Sequence, residues 1–261
     1  EPKFIALSQR MVRDRSRAAE VDFPRAATTF ASFFGCTSRP FFARALAALL
    51  QACTVVEGID TALWLKHGVN FVAASPGQMF RQLSDTPLPR RIARLEVSGA
   101  RLPVGSGLLF LQSFDRVLDV YGASETSKSF ANELFIAADG TVALRGVPQD
   151  SRVEIVDDAG TPCAVGQSGQ VRVRNGYMAT GYLNAPEASS KAFRDGWFYP
   201  GDLARLDADG YLTLAGRAKD MIIRGGINVY PEEIESVLRS HPAVVDAAVT
   251  GLPAADLGED I

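Results

Sequence analysis

A flat aromatic ring, two small residues, a hydroxyl and a carboxylate stand in succession at Tyr121-Gly122-Ala123-Ser124-Glu125, directly after the apolar run 117–120. A strand ending in such a turn can bind a nucleotide. The ring covers a base, the small residues let backbone approach, the hydroxyl donates to a phosphate and the carboxylate holds magnesium through oxygen. A second acidic residue, Asp202, follows Gly201 after the aromatic turn Asp195-Gly196-Trp197-Phe198-Tyr199-Pro200, where its oxygens can accept both hydroxyls of a ribose. Gly216-Arg217-Ala218-Lys219-Asp220 then supplies two cations behind the next hairpin. Taken singly, each of these segments also reads as an ordinary polar turn or linker.

The elements that must position these groups change in texture along the chain. Residues 41–50 form a compact apolar helix, Thr54-Val55-Val56 a short strand, 59–66 a helix, 69–73 a strand and 77–83 a helix, an alternation expected of crossover units on a mainly parallel sheet. Upstream, Arg10, Arg13, Arg15 and Arg17 crowd the helical stretch 10–20 and are expected to form a solvated face. After Phe130 the turns Asp139-Gly140, Asp158-Ala159-Gly160 and Asp209-Gly210 separate short apolar runs, so 131–216 is expected to be mostly antiparallel, a second layer or small barrel. From 217 a strand at 221–223, Gly225-Gly226, a helix opened by Pro231 and ended by Pro242, and a strand at 244–249 make a small α+β unit. Ile234, Val237 and Leu238 share one face of that helix.

Totals narrow the partner. The 27 Lys and Arg against 30 Asp and Glu leave a net charge of −3, without the basic surface that phosphate neutralisation by a nucleic-acid module needs. With 47% apolar and 22% charged residues the chain can build a sizeable core, and no 18-residue apolar run provides a membrane span. Cys36, Cys53 and Cys163 are far apart and only His67 and His241 accompany them, which argues against structural zinc and for a reducing, cytoplasmic setting.

In order, 121–125, Gly181-Tyr182-Leu183-Asn184-Ala185-Pro186-Glu187, 195–202, Gly216-Arg217 and 225–235 resemble the adenylate-forming superfamily of AMP-dependent synthetases and ligases, continuously from about residue 119 to 261. Upstream, Val97-Ser98-Gly99-Ala100 resembles the segment lining the adenine site, and Glu1-Pro2-Lys3 the tail of the phosphate loop. Ser32-Phe33-Phe34-Gly35 sits where many members carry a His and aromatics beside the acyl pocket. Residues 221–235 look most like acyl- and aryl-CoA synthetases. The resemblance implies an α/β fold: part of a large N-terminal α/β domain (1–130), a β-rich, distorted-barrel subdomain (131–216), and the start of a mobile α+β C-terminal domain (217–261) hinged near Lys219.

It also implies an activity. A carboxylic acid is activated by ATP and Mg2+ to an acyl-adenylate with release of pyrophosphate, and the acyl group then passes to the thiol of CoA or of a carrier protein's phosphopantetheine. By position, Gly99, Ala100, Tyr121 and Gly122 line the adenine site, Lys3 and Ser124 face phosphate, and Glu125 binds magnesium. Asp202 and Arg217 hold the ribose, Lys219 is the hinge and Gly226 lines the pantetheine tunnel. Four positions depart from the usual pattern: Ser32 replaces His, Arg101 a small residue or Pro, Ser124 Thr, and Pro200 Thr. Phe33, Phe34, Gly122 and Ala123 suggest an apolar or aromatic acyl group. A full phosphate loop upstream and a lysine downstream are expected in the full-length protein. A non-catalytic nucleotide-binding relative is the competing class.

Overall fold

The computed structural model describes residues 3–261 except Thr37, Asp85, Arg101, Pro103, Val104, Ser240, Pro242, Val245, Asp246 and 255–257, and leaves the side chains of Arg39 and Ser236 undescribed. The expectations resting on Glu1, Pro2, Arg101 and Pro242 therefore lie outside the described residues.

The alternating pattern of the first half becomes α1 (Gln9–Glu20), β1 (Thr29–Ser32), α2 (Arg39–Leu50), β2 (Thr54–Val56), α3 (Thr61–Lys66), β3 (Phe71–Ala74), α4 (Pro76–Leu83), β4 (Ile92–Ser98), α5 (Ser106–Ser113) and β5 (Phe114–Ala123), followed by β6 (Ser127–Ile136) and β7 (Val142–Val147). These strands make one sheet in the order β2-β1-β3-β4-β5-β6-β7, parallel as far as β5 and antiparallel beyond. Buried residues of alternate parity separate its faces, as a pleat requires. Phe30, Phe71 and Ala73 pack with Ala47 and Ala48 of α2, whereas Ala31, Val72 and Ala74 pack with Trp64, Met79 and Phe110 of α3, α4 and α5. Helices on both faces explain why β3 is buried at every position. Sequence chemistry sets the helix starts: Ser75 and Gln78 form a reciprocal capping box at α4, with Pro76 in the first turn.

The second sheet comprises β8 (Arg152–Val156), β9 (Gly169–Arg174), β10 (Phe193–Arg194), β11 (Trp197–Phe198), β12 (Asp202–Leu206) and β13 (Leu212–Arg217), with α6 (Pro186–Ala192) between β9 and β10. Its order is β10-β11-β9-β12-β13, with β8 on β9, and its pairs are antiparallel. The expected boundary at 130/131 falls inside β6, and the chain changes sheets between β7 and β8. Cross-strand pairing with β5 carries β6 and β7 into the first sheet despite their hairpin character. Contacts of two kinds that bring the sheets together involve β6 and β7. Asn132 on β6 donates Nδ2–H to the Leu212 carbonyl (2.8 Å) and accepts from the Leu212 N–H (3.0 Å). Gly146 on β7 lies so close to Gly210 that a Cβ would stand 1.8 Å from its carbonyl oxygen.

A third sheet, β15-β14-β17-β16, is built from β14 (Ile222–Arg224), β15 (Ile227–Val229), β16 (Leu252–Ala254) and β17 (Gly258–Asp260), with α7 (Pro231–Arg239) after β15. The strand expected at 244–249 is not formed by its described residues. Side chains of α7 occupy that backbone instead: Glu235 accepts from the Val249 N–H (2.9 Å) and Arg239 donates to the Ala247 carbonyl (2.9 Å). The apolar face expected on α7 is only partly covered, with Val237 71% and Leu238 44% exposed. Among the described residues no helix is long and apolar enough to cross a membrane.

Candidate active site

The sequence positions singled out for nucleotide chemistry converge where the first two sheets meet. A cavity of about 380 Å³ is lined by Gly99, Ala100, Tyr121, Gly122, Asp202 and Arg217, together with Asn132, Leu212 and Glu232. Hairpin register accounts for one side of it. Asp202 opens β12 and Arg217 closes β13, and the two are direct cross-strand partners, with the Arg217 Nε donating to Asp202 Oδ1 (3.2 Å). From the first sheet, the Tyr121 hydroxyl donates to Asp202 Oδ2 (2.6 Å). Burial, then the Asp202 charge and hydrogen bond, push the Tyr121 phenol well above its ordinary value, so it stays a donor. A ring, a carboxylate and a guanidinium are thereby fixed on one wall, a set able to cover a base and exchange hydrogen bonds with vicinal hydroxyls.

Asp202→Ala should weaken AMP and ATP binding ten- to hundredfold, because loss of a charge-assisted acceptor costs about 1.5 to 3 kcal/mol. Calorimetric titration measures this, and affinity equal to wild type would leave Asp202 as a hairpin residue only.

The sequence reading missed Asp119. It stands two residues before Tyr121 on β5, so strand period two puts both on one face of the sheet, and it lines the same cavity. That spacing was the available signal. Burial pushes the Asp119 carboxyl up to about 7 from 3.8. Between these values the native state holds a proton that the unfolded chain has lost, so stability falls as pH rises from about 4 to about 7 and levels off above. Asp119→Asn should remove this slope and gain about 1 to 2 kcal/mol at pH 8, a figure reduced for the carboxyl's partial exposure. Urea melts at pH 5 and pH 8 decide it: equal slopes in variant and wild type would clear Asp119.

Beyond Gly122 the chain turns through Ser124, Glu125 and Thr126 into β6. Every carbonyl of this turn is taken by protein. Arg15 donates Nη1–H to the Ser124 carbonyl (3.1 Å), Nη2–H to that of Glu125 (2.7 Å) and Nε–H to that of Tyr177 (2.9 Å). The Ala179 N–H also reaches Glu125 (2.7 Å), and Asn175 donates to Thr126 (2.8 Å). The expected solvated arginine face therefore fails at Arg15, which is 5% exposed. Interior carbonyls with no strand partner recruited a planar multi-donor group. Glu125 Oε1 accepts from the Tyr182 hydroxyl (2.7 Å), which brings the 181–187 motif to the same turn.

Other expected site residues take different places. The Lys3 ammonium lies over the Tyr182 ring, 4.8 Å from its centroid, one residue removed from Glu125. Ser124 lines a second cavity of about 230 Å³ beyond Gly122. Gly122 was expected to make room for a ligand, but its first constraint is the β5–β6 bulge, where a Cβ would stand 2.2 Å from the Ser127 carbonyl oxygen. Lys219 lies in a 3-10 turn (Ala218–Asp220) and Gly226 in the β14–β15 hairpin, and neither lines either cavity. Gly225 and Gly226 have φ of 56° and 82°, so the tight hairpin itself calls for glycine there. Phe33 packs edge-on against Trp64 and Phe34 packs against the Phe23 cluster, both partly buried, and neither aromatic lines either of the two cavities.

One carboxylate, Glu125, with its second oxygen outside the Tyr182 bond, suits a magnesium ion completed by phosphate oxygens and water.

Comparison with known proteins bears on the family and the fold. Residues 2–183 match the family described as AMP-binding enzyme. The chain is 32% identical over 228 residues to a sulfoacetate–CoA ligase of Cupriavidus necator, covering 83% of this chain and 45% of that protein. It is 43% identical over 219 residues to a putative acyl-CoA synthetase, YngI, of Bacillus subtilis, covering 80% and 37%. The chain thus spans less than half the length of these relatives. Among solved structures, o-succinylbenzoate CoA synthetase of Bacillus subtilis, crystallised with its acyl-adenylate intermediate, has the same fold with a TM-score of 0.85. That match has 23% identity and covers 99% of this chain and 55% of the other. Since the family match takes in well over half of the residues, the chain belongs to the AMP-binding enzymes of the adenylate-forming superfamily.

Proposed function

We propose that this chain forms the nucleotide-binding part of a cytoplasmic acid–thiol ligase that uses ATP and Mg2+ to convert a carboxylic acid into its acyl-adenylate and then passes the acyl group to CoA. The observation that carries the reading is the joining of Tyr121, Asp202 and Arg217 by hydrogen bonds on one cavity wall, with Ser124 and Glu125 on the turn leaving it. The CoA-ligase relatives support it. In the first step a carboxylate oxygen bonds to the α-phosphorus while the bond to the bridging oxygen breaks and pyrophosphate leaves. In the second a thiolate attacks the acyl carbon and AMP departs.

The Tyr121 ring covers adenine, Asp202 and Arg217 hold the ribose, and the Ser124 hydroxyl and Lys3 meet phosphate. Glu125 holds magnesium, which offsets the charge that develops on the phosphate oxygens. The ionised acid needs no general base. On this reading Lys219, 72% exposed, is the hinge about which the unit from 217 turns between the half-reactions, carrying Gly226 to the thiol. Three unpaired cysteines fit a reducing compartment.

Acid-dependent pyrophosphate exchange by the full-length protein, run beside CoA consumption, tests the proposal. Exchange without CoA consumption would point to carrier-protein loading, and nucleotide binding without exchange for any acid would point to a non-catalytic relative.

A further inference from the structure

The second cavity, about 230 Å³, shares Gly99, Val120 and Gly122 with the first, so a carboxylate reacting at Ser124 would lead its remaining atoms into it. Beside apolar Ala18, Ala19, Val21, Ala43 and Val120, its wall carries a cluster of charged side chains. Asp22, Arg44, Glu96 and Lys128 line it, and Arg94 stands behind them. The five side chains are between 1% and 22% exposed. Arg44 grips Glu96 Oε2 through Nε and Nη2 (3.1 and 2.8 Å), and Lys128 donates to Glu96 Oε1 (2.8 Å) and Asp22 Oδ2 (3.2 Å). Arg94 bridges Asp22 Oδ1 and Glu96 Oε1.

Three cations face two carboxylates, whose four oxygens are all engaged, while donors are left over. Lys128 has a third N–H beyond its two partners, and the buried Arg94 Nε has no hydrogen-bond partner among the described residues. Burial pushes the Glu96 carboxyl up, but Lys128, Arg44 and Arg94 outweigh it and hold it well below the usual carboxylate range. Elsewhere in the lining Arg15 and Asp150 carry opposite charges, and Gln149 is neutral. An apolar chain end here would leave the excess cation unbalanced and the spare Lys128 donor unpaired, whereas an anion would balance the one and use the other.

Building on the adenylation reading, we propose that this cavity receives the distal end of the substrate and that the substrate is a compact acid bearing a second anionic group, held by Lys128. The expectation of an apolar or aromatic acyl group is replaced by this one.

Pyrophosphate exchange by the full-length wild-type protein with length-matched probes, succinate against butyrate and glutarate against pentanoate, tests it without any variant. We expect kcat/KM at least tenfold higher for each diacid. Lys128→Met should reduce that ratio at least tenfold, and Lys128→Arg should restore most of it. Preference for the monoacids, or a ratio untouched by Lys128→Met, would overturn the proposal while leaving adenylation standing. Absence of exchange with every acid, in a protein that still binds AMP, would overturn adenylation and this proposal with it.

Discussion

Glu125→Gln in the full-length protein is expected to lower acid-dependent pyrophosphate exchange by about two to three orders of magnitude, the scale of losing one preorganised electrostatic contact to a developing charge. The fold should survive. The turn is fixed through its backbone, by Arg15 and the Ala179 N–H on the Glu125 carbonyl and by Asn175 on that of Thr126, and none of these depends on the side chain. A glutamine carbonyl can still accept from the Tyr182 hydroxyl that now donates to Oε1. What disappears is the negative oxygen that magnesium prefers over a neutral amide. AMP binding, which the proposed function assigns to Tyr121, Asp202 and Arg217, should change little. The decisive measurement is exchange at saturating Mg2+ beside AMP titration in the same preparation, and wild-type exchange in a folded variant would remove Glu125 from the metal site.

Much of that site was legible because local rules placed it. Asp202 and Arg217 flank the Asp209-Gly210 turn, so an antiparallel hairpin brings them near each other, and a register shift between Leu203 and Ala204, which the sequence does not announce, makes them direct partners. The apolar run ahead of Tyr121 made β5, and its end presents the small residues and the carboxylate. What stayed hidden depended on contacts across long stretches of chain. Arg15 meets Glu125 and Tyr177 from over a hundred residues away, and an arginine on an amphipathic helix gives no local sign of which carbonyls will meet it. Phe33 and Phe34 look alike in sequence for a pocket or a core, and only the packing of α2 and α3 against β1 set them, partly buried, against the core clusters. The 244–249 segment has strand-like composition, yet Glu235 and Arg239 of α7 took its backbone groups first.

Arg15→Ala carries the largest expected effect on stability. Its guanidinium satisfies three carbonyls from two separate segments, and truncation would leave them facing the cavity that Arg15 lines. Bonds to a charged donor contribute about 1.5 to 3 kcal/mol each, but water entering that cavity can replace part of them, so a net loss of about 3 kcal/mol is expected rather than the sum. Arg15→Lys should recover only a fraction, because one ammonium cannot reproduce a planar fork aimed at three oxygens. The two variants also separate packing from positioning. At a temperature where Arg15→Lys remains folded, AMP should bind normally at Asp202 and Arg217, since neither touches Arg15, while exchange falls because Ser124 and Glu125 are no longer held in place. Urea unfolding, AMP titration and exchange on the same samples give all three readings. A stable Arg15→Ala protein with full exchange would return this arginine to the solvated face that its helix, taken alone, suggests.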